Sequence, residues 1–182
     1  DKLVELTPDI PIISEETVKV NDKNKNSVFW LIDPIDGTKE YISGKDEYTL
    51  NAALVVNKKP LIGLVGVPKK GQLFYSYGPG KSFLIENKKT KNLDCKKKIE
   101  RNDTRAVSSY GKPSEMIMKI LNEYGVSSIT NVASSYKFCL IADGTFDIYA
   151  AKDRANEWDY AAGHAVAENA GAIITTLDKK PF

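Results

Sequence analysis

Between Tyr48 and Glu86 the apolar runs follow one another as strand after strand: Thr49 to Val56, Pro60 to Val67, Gln72 to Tyr77 and Ser82 to Glu86. The breaks between them are Asn57-Lys58-Lys59, Lys69-Lys70-Gly71 and Gly78-Pro79-Gly80, all composed of turn formers. Strands joined by such short polar breaks predict an antiparallel meander. Lys88 to Asp103 is polar and charged and reads as the boundary between two units, 1–103 and 104–182. Beyond it strands and helices alternate. Strands are predicted over Arg105 to Ser108, Ser127 to Val132, Phe146 to Tyr149 and Ala172 to Thr175. A helix over Pro113 to Tyr124 places Met116, Ile117, Ile120 and Leu121 on one face, and further helices run through Lys137 to Ala142 and from Trp158 to Gly171. This second half is α/β.

Ahead of the meander, Val28 to Ile32 is β-branched and aromatic, and it leads into Asp33-Pro34-Ile35-Asp36-Gly37-Thr38. Proline cannot extend a sheet ladder, so the strand should stop there and leave two carboxylates at its carboxyl end. Open α/β sheets place ligands at that end. Two acids this close repel unless a positive charge lies between them, and hard cations such as Mg²⁺ take carboxylate and carbonyl oxygens. The spacing is Asp-x-x-Asp. Dehalogenase-type phosphatases use Asp-x-Asp, with residues i and i+2 on one face of an extended chain; an extra residue beside a proline requires a turn and a different site. Both Asp33 and Asp36 therefore read as metal ligands, against the alternative of an Asx turn at a strand end.

Two other segments bring further acids. Pro11-Ile12-Ile13-Ser14-Glu15-Glu16 is a short apolar run ending in glutamates, either a strand delivering a carboxylate or a solvated turn. Asn156-Glu157-Trp158-Asp159 opens a helix, where Asp159 is a capping-box acid or a ligand.

Composition sets limits. With 182 residues and 42% hydrophobic content the chain can bury a core as one domain or two small ones. A net charge of +2 without a basic face argues against nucleic-acid polymers; the Lys88 to Lys98 run and Asp22-Lys23-Asn24-Lys25 read as solvated loops. Two cysteines make no disulfide framework, which fits a reducing cytosolic setting, with Cys139 as core packing. No stretch is apolar enough to span a membrane, though peripheral association with an inner membrane stays open. The sole histidine, His164, rules out His-cluster zinc sites and reads as a helix-packing residue.

Ser-Glu-Glu, then Asp-Pro-Ile-Asp-Gly-Thr, then Glu-Trp-Asp-Tyr-Ala-Ala-Gly-His, in that order, resemble the inositol monophosphatase superfamily of Mg²⁺-dependent, lithium-sensitive phosphatases. Thr38-Lys39-Glu40-Tyr41 and Ser134-Ser135-Tyr136-Lys137-Phe138-Cys139-Leu140 are similar to its CysQ-type 3'(2'),5'-bisphosphate nucleotidase branch. The resemblance implies a layered α-β-α-β-α sandwich with its site between the halves. It also implies two or three Mg²⁺ ions: Glu15, Asp33 and the Ile35 carbonyl on one, Asp33, Asp36 and Asp159 on a second. Two ions about 4 Å apart clamp the attacking and leaving oxygens of an in-line phosphoryl displacement. Thr38, helped by Glu15, would activate water. The amides of Gly37 and Thr38 would hold phosphate, with Asp36 and Asp159 also facing substrate and Glu16 peripheral or exposed.

Ser134 and Lys137 would contact the nucleotide and its other phosphate, unless Ser134 caps a helix and Lys137 is solvated. The implied reaction is removal of the 3'-phosphate of adenosine 3',5'-bisphosphate, giving AMP; an inositol or sugar phosphatase and a non-catalytic binding homologue are the alternatives, and the assembly a homodimer. The branch's usual arginine after its last strand is replaced by Ala151, with Lys152 or Arg154 as substitutes, and its Ser-Arg-Ser-His segment by Val107-Ser108-Ser109-Tyr110-Gly111, where Tyr110 is placed to stack on adenine. Measured against the family, the N-terminal helices and the last C-terminal strand are missing, which suggests a truncated or spliced chain or a reduced homologue. One uncovered layer then predicts weak turnover and low stability.

Overall fold

The computed structural model describes residues 2–17, 26–96, 103–152 and 155–181. A short helix α1 (Lys2–Leu6) leads into β1 (Ile12–Ser14) and β2 (Val28–Asp36), which pair in parallel, with Ile13 opposite Leu31. After the five-residue helix α2 (Thr38–Ile42) the chain folds into β3 (Thr49–Val56), β4 (Lys59–Val67), β5 (Gln72–Ser76), β6 (Ser82–Glu86) and β7 (Lys89–Asn92). The result is a seven-stranded sheet in sequential order, antiparallel from β2 onward. The second sheet is parallel, in the order β10-β8-β9, from β8 (Thr104–Ser108), β9 (Val126–Asn131) and β10 (Ile148–Tyr149). Its crossovers carry α3 (Glu115–Glu123) and α4 (Tyr136–Ala142), and α5 (Glu157–Asn169) follows. The boundary expected near 103 separates the strands of the two sheets, while α5 from the second half packs onto β3 and β4 of the first.

Several expected elements differ. Strand β2 does not stop at Pro34 but continues to Asp36, because the proline falls in a β-bulge, where no ladder N–H is needed. The polar run after Glu86 is not all loop. Asn87 and Lys88 take left-handed turn angles, and Lys89–Asn92 forms an edge strand, the position where charged side chains stay in water. Met116 is 57% exposed, so the buried face of α3 is Ile117 and Leu121. Ala172 to Thr175 is not a strand, since its pairing is a single bridge between Thr175 and Pro181 and Ile173 lies in solvent. The strand expected over Phe146 to Tyr149 is shortened to its last two residues, the Phe146 amide going to the Leu140 carbonyl instead. The segment Asp22-Lys23-Asn24-Lys25 lies outside the described residues. Among those described, no helix is long and apolar enough to cross a membrane.

The layers run large sheet, then α4 with α5, then small sheet, then α3; one hydrophobic core joins the first three, and a second small cluster of Ala106, Ile117 and Leu121 seats α3 on the small sheet. Leu31, Val65 and Phe74 from the large sheet, Cys139 and Val166 from the helices, and Val107 and Val132 from the small-sheet side belong to the larger core. On the sheet's other face α1 is tied to β2, where the Trp30 indole N–H donates to Thr7 Oγ1 at 3.0 Å.

Helix α5 approaches β4 closely enough that a Cβ on Gly63 would stand 2.3 Å from the Ala162 carbonyl oxygen; one on Gly163 would meet the Phe138 ring at 2.7 Å. Buried polar bonds hold its far end: Ser82 Oγ donates to the Val166 carbonyl at 2.9 Å, and the Asn169 amide to Ser76 Oγ at 3.1 Å. This docking fixes where the first turn of α5 points. Gly63→Ala is expected to cost about 1–3 kcal/mol in denaturant unfolding, because it must push a helix off a sheet backbone, whereas Gly66→Ala, with its nearest contact at 3.8 Å, should cost less.

Candidate active site at the bulged end of strand two

The site begins with register. Along β2 the pairing passes from Asp33 opposite Asn51 to Asp36 opposite Thr49, three residues forward against two back on β3. One extra residue is absorbed by the bulge, so two acids three apart take positions that face residues two apart, and both come to the same side. Asp33 is 1% exposed and Asp36 half-buried. Asp33 Oδ1 accepts the Ile35 N–H at 2.9 Å within the bulge. Gly37 then turns the chain with φ 87°, a left-handed angle that glycine takes without strain, and a Cβ there would touch Ser134 and Tyr48. Thr38 is exposed and its Oγ1 donates to the Ile35 carbonyl at 3.3 Å.

Parallel pairing of β1 brings Glu15 alongside, its N–H donating to the Ile32 carbonyl at 3.1 Å; both Glu15 and Glu16 are exposed. Asn156 caps α5 with Asp159 in a capping box, the Asn156 N–H donating to Asp159 Oδ2 at 2.8 Å. Neighbouring acids act on Asp33 and Asp36. Burial pushes Asp33 up to about 8, and the charges of Asp36, Glu15 and Asp159 add to the rise against the pull of the Ile35 N–H. Asp36 is pushed up to about 6 by burial, opposed by the Ser135 N–H and the Lys137 ammonium and reinforced by Asp159 and Glu15. Asp159 is raised by burial and by Glu157, against the Asn156 N–H. Among the described residues no three acidic, histidine or cysteine side chains are gathered into a metal-binding cluster. What the structure brings together is repulsion among acids in a half-buried space, which is the donor chemistry a hard cation relieves.

Lys137 is buried rather than solvated. Its ammonium donates to the Val132 carbonyl at 3.2 Å and to the Ser134 carbonyl, and lies 5.4 Å from the Tyr149 ring centroid. Ser134 precedes the N-cap residue Ser135, with φ 55°; its Oγ donates to the Glu47 carbonyl and accepts the Tyr136 N–H at 3.3 Å. Sequence reasoning missed the network behind these groups. Ser135 gives its N–H to Asp36 Oδ2 and its hydroxyl to Asn51 Oδ1 at 2.7 Å, and lies 2.8 Å from Thr49 Oγ1. Polar Thr49 and Asn51 in step with apolar Ala53 and Val55 on the inward face of β3 were the available signal. A cavity of about 1660 Å³ opens beside these groups, with Asp36, Gly37, Tyr110, Ser134, Lys137 and Asp159 in its wall. Lys152 and Ala151 also line it; Arg154 lies outside the described residues. His164 is buried, 3.6 Å from Glu168, and burial holds its imidazole below the ordinary range, as suits helix packing.

Acids at a strand end, glycine and hydroxyl after them and a buried lysine in the wall of the same cavity fit a class, the α/β enzymes that work on phosphate esters with help from a cation. The chain belongs to the inositol monophosphatase family, whose profile matches residues 1–182, and it is a phosphatase of that family, a group that is generally metal-dependent. It is 37% identical to the 3'(2'),5'-bisphosphate nucleotidase CysQ of Escherichia coli, with all of this chain and 73% of that protein covered. To the crystal structure of CysQ from Bacteroides thetaiotaomicron it is 28% identical with TM-score 0.75, over 93% of this chain and 70% of that one. An inositol monophosphatase from Anabaena superposes with TM-score 0.80 at 23% identity, over 99% of this chain and 72% of that one, which speaks to the fold alone.

Removing the Ser135 hydroxyl strands the Asn51 carbonyl oxygen. Ser135→Ala is expected to lower stability by about 1–3 kcal/mol in urea titration, and Ser135→Thr to recover part of the loss.

Proposed function

We propose that the protein removes the 3'-phosphate of adenosine 3',5'-bisphosphate, yielding AMP and inorganic phosphate. The observation that carries the reading is the buried Lys137 ammonium, which lines the same cavity as Asp36 and acts on it. A substrate with two phosphates needs a cationic contact away from the reacting one. The 37% identity to CysQ proteins over the whole chain supports the same choice. Free Cys95 and Cys139 fit a reducing cytosolic setting, and a homodimer belongs to the same reading.

The carboxylates of Glu15, Asp33, Asp36 and Asp159 and the Ile35 carbonyl would hold two or three Mg²⁺ ions. Bound Mg²⁺ supplies positive charge that polarises a phosphoryl oxygen and acidifies water. Thr38 Oγ1, already bonded to the Ile35 carbonyl, would orient the attacking water, and Glu15 would take its proton. The N–H groups of Gly37 and Thr38 would bind phosphate oxygens at the turn, a geometry that Gly37 permits. Ser134 and Lys137 would hold the rest of the nucleotide, with the Tyr110 ring against the base.

Phosphate release from the bisphosphate nucleotide and from inositol 1-phosphate, with Mg²⁺ and with added Li⁺, tests the reading. Faster release from the nucleotide, inhibited by Li⁺, is expected; faster release from inositol 1-phosphate would favour a sugar phosphatase, and no release from either a binding homologue. Asp36→Asn should lower kcat/KM by at least about a hundredfold, and full activity in that variant would defeat the ligand assignment. A ligand that binds only the folded state raises its stability, so Mg²⁺ at about 100 times its dissociation constant should add about 2.7 kcal/mol to wild type and far less to Asp33→Asn. A thermal melt reads this without turnover.

A further inference from the structure

Glu47 lies in the loop between α2 and β3. Its Oε2 accepts two hydrogen bonds, from Tyr110 Oη–H at 3.0 Å and from the Ala133 N–H at 3.0 Å. Its main-chain carbonyl accepts Ser134 Oγ–H. One residue thus joins three segments: the approach to the large sheet, the loop after β8, and the turn between β9 and α4. The turn has reason to be held, because Ser134 sits at φ 55°, an angle uncommon for a side-chain-bearing residue. Tyr110 has reason too. The residue is 51% exposed on the wall of the large cavity, with the Lys45 ammonium over one side of its ring at 5.0 Å from the centroid, and an exposed aromatic side chain of this kind can stack on a base.

We propose that Glu47 is a specificity-determining positioning residue, which locks Tyr110 and the Val132–Ser135 turn into the cleft wall that receives the nucleoside part of the substrate. The proposal rests on the bisphosphate nucleotidase reading. Glu47 acts through the groups it holds and touches no reacting atom. Ser135, which binds Asp36, is anchored independently to Asn51 and Thr49, so losing the Glu47 side chain loosens the nucleoside wall while the acids keep their support.

The test is steady-state phosphate release from the bisphosphate nucleotide and from inositol 1-phosphate by wild type, Glu47→Ala, Glu47→Gln and Tyr110→Phe. Glu47→Ala should raise KM for the nucleotide about tenfold with kcat within about threefold, the scale of a lost hydrogen bond to a charged group. Glu47→Gln keeps an acceptor oxygen and should return KM to within about threefold of wild type, while Tyr110→Phe should raise it by about threefold. Amide exchange at Ala133 in the ligand-free protein should quicken in Glu47→Ala and not in Tyr110→Phe. An unchanged nucleotide KM in Glu47→Ala, or an equal fall in kcat/KM for both substrates, overturns the proposal and leaves the nucleotidase reading standing. A wild type that does not prefer the nucleotide overturns both.

Discussion

The bulge in β2 is the constraint on which the site depends. Without it, residues three apart on a strand face opposite ways, and Asp33 and Asp36 could not share one side. With it they share a half-buried space, where burial lifts both carboxyls and the charges of neighbouring acids add to the rise, Asp36, Glu15 and Asp159 at Asp33 and Asp159 and Glu15 at Asp36. Neighbouring donors answer that rise. The Ile35 and Ser135 amides each point an N–H at one of the acids, and Lys137 is held inward by two carbonyls where its charge acts on Asp36. Buried polar and charged groups persist when they are hydrogen-bonded or paired, and here the partners are drawn from β2 itself and from the start of α4.

That dependence explains why α5 is packed so tightly. Asp159 lies in its first turn, so the helix's position along the large sheet decides where the charge that acts on Asp33 and Asp36 stands. Gly63 and Gly163 allow the approach, and Ser82 and Asn169 lock the far end. The core that joins the layers is therefore also what sets distances in the site.

Local signals were legible in the sequence and distant ones were not. The meander could be read because its turns are marked by Asn57-Lys58, Gly71 and Gly78-Pro79-Gly80, and the α5 start because Asn156 and Asp159 are three apart. Pro34 was misread, since a proline at the end of an apolar run looks like a stop unless the partner strand is known to lack one residue there. Lys137 read in the chain as a substrate contact or else a solvated side chain, and its burial by carbonyls of its own turn and by Tyr149 was not legible, since the position of Tyr149 depends on the small sheet. Ser135 bonds to residues 84 and 86 positions away, which no local pattern encodes.

Asp159 shows how one residue can answer two readings. In the sequence a capping acid and a site acid were alternatives, but the capping bond uses Oδ2 alone, and a carboxylate accepts at both oxygens. The cap does more than satisfy an orphan amide. By fixing Oδ2 against the Asn156 N–H it limits rotation of the carboxylate, so the entropy lost in orienting that acid is spent during folding. The first turn of α5 that caps the helix thus also holds the carboxylate whose charge acts on Asp33 and Asp36.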